Sequence, residues 1–277
     1  MSAAMLETRA DPDPVGRPAS AAASNSPGQS QARLRRGRVS ARAVVLLLPA
    51  RWALAGLVFT LAALLAALLH APDPLGAAGG WWMVWGTLVD LGCLAALAVL
   101  VRREGVRLVD LLVLDRQHVA RDLLLGLGLV FTLIPALVIV QLLQGLFYPA
   151  QLPPQIALVH LPAWATVYAV LVWPAIWAVT EQLTYLGYLF PRLEVLTRRT
   201  SAAAVIVMLV WSVQHIALPF VPDARYLAYR TLTTVPIAIT AIVLYRFVLR
   251  RRLLPLVVVH WVADVLAALS PVLFLQA

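Results

Sequence analysis

From about residue 52 onward the chain alternates between long apolar runs and short polar stretches. Seven such runs stand out, at about 52–70, 81–101, 122–147, 163–190, 201–219, 230–248 and 253–275. Each is close to the roughly 20 residues that a helix needs to cross a bilayer. The pattern predicts an all-α fold, a polytopic transmembrane helical bundle of about seven spans. The connections alternate in charge: 102–121 and 191–200 are rich in arginine, as is 249–252, whereas 148–162 carries none and 220–229 only Arg225 within it. Arginine-rich loops mark the cytoplasmic side, so the expected arrangement is a multi-pass protein of the inner (plasma) membrane, with a cytoplasmic N-terminus and an outer C-terminus.

Residues 1–42 lack apolar periodicity and are rich in Ala, Ser, Pro, Gly and Arg, which predicts a disordered basic tail. No short apolar core with a cleavage site occurs there, so no cleaved signal peptide is expected. Arg33, Arg35, Arg36, Arg38 and Arg42 would hold that end at the anionic leaflet. Two N-terminal transmembrane helices fill 43–104. Within the remainder, 105–121 reads as an interfacial segment and the proline-rich 149–162 as an extended or kinked loop. Trp81, Trp82 and Trp85 fall at an outer boundary, where indoles anchor to the interface.

Composition agrees with lipid as the solvent. The chain is 62% hydrophobic and 13% charged, against about a quarter charged in a soluble domain. All 22 basic residues are arginine, giving a net charge of +9, but they cluster between apolar runs, so no nucleic-acid partner is expected. The single cysteine, Cys93, excludes an intrachain disulfide.

Charged groups within a bilayer are costly, so each one requires a reason. The spans contain Asp90, Glu181, His215, His260 and Asp264, while Arg230 and Arg246 at span ends can snorkel. His260 and Asp264 are four residues apart and share one helix face. Counting helix rise from the nearest arginines places Glu181 roughly 16 Å deep and Asp264 roughly 18 Å, with His215 deeper at roughly 24 Å. If the three helices pack together, two carboxylates and two imidazoles meet in one polar pocket. A buried Glu can take a proton from water, a His can hold that water, and a second His with an Asp can stabilise an oxyanion. The same four groups are legitimate zinc ligands, and zinc is the most plausible metal were one present. No HExxH signature occurs, and no metal site is assigned.

The order Glu181-Gln-Leu-Thr-Tyr-Leu-Gly187, then Trp211-Ser-Val-Gln-His215, then His260-Trp-Val-Ala-Asp264 resembles the CPBP (CAAX protease and bacteriocin-processing, or Abi) family of intramembrane proteases. The resemblance covers about 105–275 and implies a protease core over 105–277. It implies peptide-bond hydrolysis of membrane-associated protein or peptide substrates, with Glu181 activating water, His215 holding it, and His260 and Asp264 stabilising the oxyanion. Two positions depart from the pattern. The family's second Glu is Gln182 here and its Arg is Leu186, one helical turn on, so both halves of an ion pair are lost together. Gln182 and Trp211 are expected beside Glu181 as substrate-binding or supporting groups. Two other classes compete: an ion- or proton-coupled transporter, which requires a water path to both faces, and a non-catalytic scaffold, which tolerates loss of Glu181. Asp90 has no role in this scheme beyond a polar partner on a neighbouring span.

Overall fold

A computed structural model describes residues 26–114, 116–157 and 160–275. Among them the fold is helical throughout. Two short helices, α1 (Pro27–Arg35) and α2 (Ala41–Leu47), open it, capped by Ser26 and Ser40 side chains that accept from backbone amides. They are followed by α3 (Ala50–Leu68), α4 (Pro74–Gly80) and α5 (Trp82–Arg103). Next come α6 (Val119–Leu129) and α7 (Ile134–Phe147), joined by a 3-10 turn, and the single turn α8 (Pro154–Ala157). The chain continues through α9 (Ala163–Leu171), α10 (Trp173–Glu181), a π-helical stretch over Gln182–Leu189, and α11 (Phe190–Thr197). Last are α12 (Thr200–Gln214), α13 (Ala224–Val243) and α14 (Leu254–Leu275).

Five helical stretches are long and apolar enough to cross a membrane: Ala50–Leu68, Trp82–Arg103, Val119–Phe147, Ala163–Thr197 and Ala224–Val248. Two shorter apolar helices, Thr200–Gln214 and Leu254–Leu269, accompany them. These seven elements coincide with the seven predicted runs. Their outer faces are lined with exposed Leu61, Leu65, Leu124, Phe131, Leu142 and Leu146, side chains that water would not tolerate in such density and that lipid solvates. The protein is a multi-pass helical membrane bundle.

Several expectations change. The tail expected over 1–42 is helical where described: α1 packs on the core, with Arg33 only 7% exposed and its Nε 3.3 Å from Glu104. Residues 1–25 lie outside the described part. The run expected over 201–219 ends as a helix at Gln214; beyond that end the Arg230 guanidinium, expected to snorkel, donates to the carbonyl of Leu218 at 3.0 Å and of His215 at 3.4 Å. The following helix starts early, at Ala224, where the Asp223 carboxylate accepts from the amide of Arg225. Trp82 and Trp85 are buried rather than interfacial: Trp82 meets Trp173 edge-on at 5.0 Å, and Trp173 packs on Trp177 at 5.0 Å.

Among the described residues the core has two large apolar clusters, beside a small one of Tyr148, Tyr226 and Tyr229. One gathers α3, α5, α9 and α10 around these tryptophans, Phe59 and Val89. The other gathers the π-helical stretch, α11, α12 and α13 around Tyr185, Leu189, Trp211 and Tyr245. Glu181 lies where the two meet, followed at once by the π turn. A π turn inside a helix offsets the side chains beyond it and recurs at functional sites.

Candidate active site

Glu181 is fully buried at the end of α10. Its Oε2 accepts from the indole Nε1 of Trp211 at 2.6 Å. Its Oε1 accepts from the Gln214 amide and from the guanidinium of Arg51. His260, from α14, places Nε2 3.5 Å from Oε2, and the same nitrogen is 3.4 Å from Asp264 Oδ2. His215, just beyond α12, has Nε2 4.0 Å from Oε1. The four residues singled out in the sequence therefore converge around one carboxylate. The depth discrepancy between His215 and Glu181 traces to Arg192, from which the depth of Glu181 is counted. It is 1% exposed and paired to Glu104, so that count starts below the water surface.

The two imidazoles are held in opposite tautomers. His215 Nδ1 is 2.8 Å from the carbonyl of Trp211, which can only accept, so Nδ1 carries the proton and Nε2 presents a lone pair toward Glu181. His260 Nδ1 is 3.1 Å from the Gln182 amide nitrogen, which can only donate, so its proton is on Nε2, which lies 3.5 Å from Glu181 and 3.4 Å from Asp264. One histidine thus offers an acceptor and the other a donor. Trp211 stacks on Tyr185 at 5.1 Å, fixing the indole that holds Oε2.

Arg51 was absent from the sequence-based set. It lies in the first turn of α3, is 1% exposed, and bridges two carboxylates: Nη1 on Glu181 and Nη2 on Asp90 Oδ1 at 2.6 Å. Its guanidinium covers the face of Trp177 at 4.1 Å. Asp90 thereby gains the polar partner expected for it.

This donor set does not fit zinc. Glu181 is already engaged by nitrogen donors, and a guanidinium beside Oε1 opposes a second cation. Among the described residues no three His, Cys, Asp or Glu side chains are grouped as ligands.

A helical bundle that buries a hydrogen-bonded Glu among two His and an Asp defines a membrane protein with a candidate hydrolytic centre. The family model described as Type II CAAX prenyl endopeptidase Rce1-like matches residues 161–266, less than half of the chain but all four of these residues. That match supports, over this segment, a likeness to the CPBP/CAAX proteases, which its three motifs also resemble. No curated protein and no solved structure matches the chain.

Proposed function

We propose that the protein is an intramembrane endopeptidase in which Glu181 is the water-activating base. The observation that carries this reading is the convergence of Glu181, His215, His260 and Asp264, with successive separations of 3.4–4.0 Å, inside the segment that matches a protease family. A water between His215 Nε2 and Glu181 meets two acceptors and so directs both hydrogens at them. Its oxygen attacks the peptide carbonyl as its proton passes to Glu181. The carbonyl oxygen, gaining charge, takes a hydrogen bond from His260 Nε2–H, the ring being held at Nδ1 by the Gln182 amide. Glu181 then returns the proton to the leaving amine as the C–N bond breaks.

Beside this centre is a small, partly open pocket of about 30 Å³, lined by Leu133, Ile237, Leu244 and Leu256, with Gln182 and His260 at its polar end. The substrates proposed are membrane-associated proteins or peptides with an apolar group next to the cleaved bond. Prenylated C-terminal tails are the class the family description suggests. The bilayer is the other partner, in the inner (plasma) membrane with the N-terminus cytoplasmic.

The test is cleavage of a peptide library, with and without a prenyl group, by the purified protein in lipid vesicles. Glu181→Gln keeps the shape of the site and removes the base, and a kcat loss of about 100-fold or more is expected. His260→Ala removes the oxyanion donor and should cost about 100-fold. Equal turnover by wild type and both variants would rule the hydrolase out.

A further inference from the structure

Arg51 and Asp90 lie on α3 and α5, outside the segment 161–266 that matches the protease family. We propose that Arg51 is a positioning residue of the active site, held in place by Asp90, so that the first two long helices complete the catalytic unit. The inference rests on the protease reading above.

Four observations support it. Arg51 Nη1 donates to the same Glu181 oxygen, Oε1, that faces His215 Nε2. The other end of the guanidinium is fixed twice, by Asp90 Oδ1 at 2.6 Å and by the Trp177 ring at 4.1 Å. Arg51, Asp90 and Glu181 are each at most 1% exposed, so water cannot take over the role of any of them. Lastly, the helix bearing Glu181 has no cation of its own one turn on, since position 186 is leucine.

A carboxylate on a two-bond side chain can rotate. Oε2 is fixed by Trp211 alone at hydrogen-bonding distance, with His260 slightly farther at 3.5 Å. On Oε1 the charged donor is Arg51. A charge-assisted contact of this kind is about twice as strong as a neutral one. Arg51 therefore sets the plane of the carboxylate against the two imidazoles. Asp90 matters because it prevents the guanidinium from following Glu181 as the latter takes a proton.

The experiment uses the full chain in lipid vesicles with a cleavable peptide, and compares kcat, KM and melting temperature. The double variant Arg51→Met/Asp90→Leu removes both charges together, which spares the fold an unpaired buried ion. It is expected to lose about 100-fold in kcat, the scale of a misplaced catalytic group, with KM within about threefold of wild type. Arg51→Lys, which restores a cation but not a fork, should recover about tenfold of that loss. Asp90→Asn keeps an acceptor for Nη2 and should lower kcat about tenfold at unchanged KM. Wild-type kcat in a folded double variant overturns the proposal. Should the double variant fail to fold, wild-type kcat in both Arg51→Lys and Asp90→Asn overturns it equally. A wild type that cleaves nothing removes the protease reading itself, and is thereby distinguishable from failure of Arg51 alone.

Discussion

The amide of Gln182 decides which nitrogen of His260 carries a proton. A glutamate there, although it is the family's residue, cannot donate to Nδ1 when ionised. The imidazole would move its proton to Nδ1 and turn a lone pair toward Glu181 and Asp264, which lie 3.5 and 3.4 Å from Nε2. Gln182→Glu is therefore expected to lower kcat by about tenfold or more, the scale of one charge-assisted hydrogen bond. The ring-nitrogen chemical shifts of His260 should exchange places in the same variant, and unchanged shifts with wild-type kcat would contradict the assignment. Glu181, His215, His260 and Asp264 were legible in the sequence because ionisable groups within apolar runs are rare and demand partners. Arg51 was not, because an arginine at the edge of an apolar run reads as an interface anchor. The signal lay elsewhere: Asp90 and Glu181 are two carboxylates in the separate apolar runs 81–101 and 163–190, and neither run contains a cation to balance them.

Helix ends and close crossings matter at the next scale. On α6, Gly126 lies against α14, the helix that carries His260 and Asp264. A Cβ at Gly126 would come 2.6 Å from Val258 Cβ and 2.7 Å from the carbonyl oxygen of Pro255. Backbone cannot yield as a flexible side chain does, so the two helices would have to part. Gly126→Ala should destabilise the protein by about 1–3 kcal/mol, read as a lower melting temperature in detergent, and should reduce turnover by shifting α14. Next to this crossing, the 3-10 turn Leu108–Leu112 is closed by Asp110, which accepts from the Arg107 side chain at 2.8 Å and from its amide at 3.0 Å. The Arg107 hydrogen bond holds the Asp110 carboxyl below the usual carboxylate value. A depressed acid stabilises the folded form fully above its unfolded value of about 4, and that contribution is lost as the pH falls through the folded value. The hydrogen-exchange protection of residues 108–113, each rate taken relative to the intrinsic rate at that pH, should accordingly be higher at pH 6 than below pH 3, with the contrast abolished in Asp110→Asn. Hydropathy located all seven long elements because each is solvated by lipid along one side. It misplaced the end of α12, because the run stays apolar up to Pro219, which has no N–H with which to continue a helix.

The molecule as a whole is tied together at one end by ion pairs rather than by apolar packing alone. Glu104, at the end of α5, is 2% exposed and takes both Arg192 of α11 and Arg33 of α1. Arg192 Nη2 lies 2.5 Å from Glu104 Oε2, while its Nη1 donates to the carbonyl of Gly187 at 3.1 Å within the π-helical stretch. One carboxylate thus joins the N-terminal helices to the element that begins at Glu181. Removing it leaves Arg192, itself 1% exposed, without a counter-charge. The cost of orphaning a buried charge is about 3–5 kcal/mol, so Glu104→Ala should lower the melting temperature more than any surface substitution. Arg33→Ala should cost far less, because Glu104 keeps its bidentate partner. Removing both charges tests whether the loss comes from the unpaired ion or from the missing contact. Glu104→Leu/Arg192→Met replaces the pair by apolar groups of similar bulk, an exchange that is often neutral. If the single variant melts early and the double variant recovers most of the difference, desolvation of the stranded guanidinium is the cause. If both melt equally early, the bridge itself, with its hold on Gly187 and the π turn, is what stabilises the bundle.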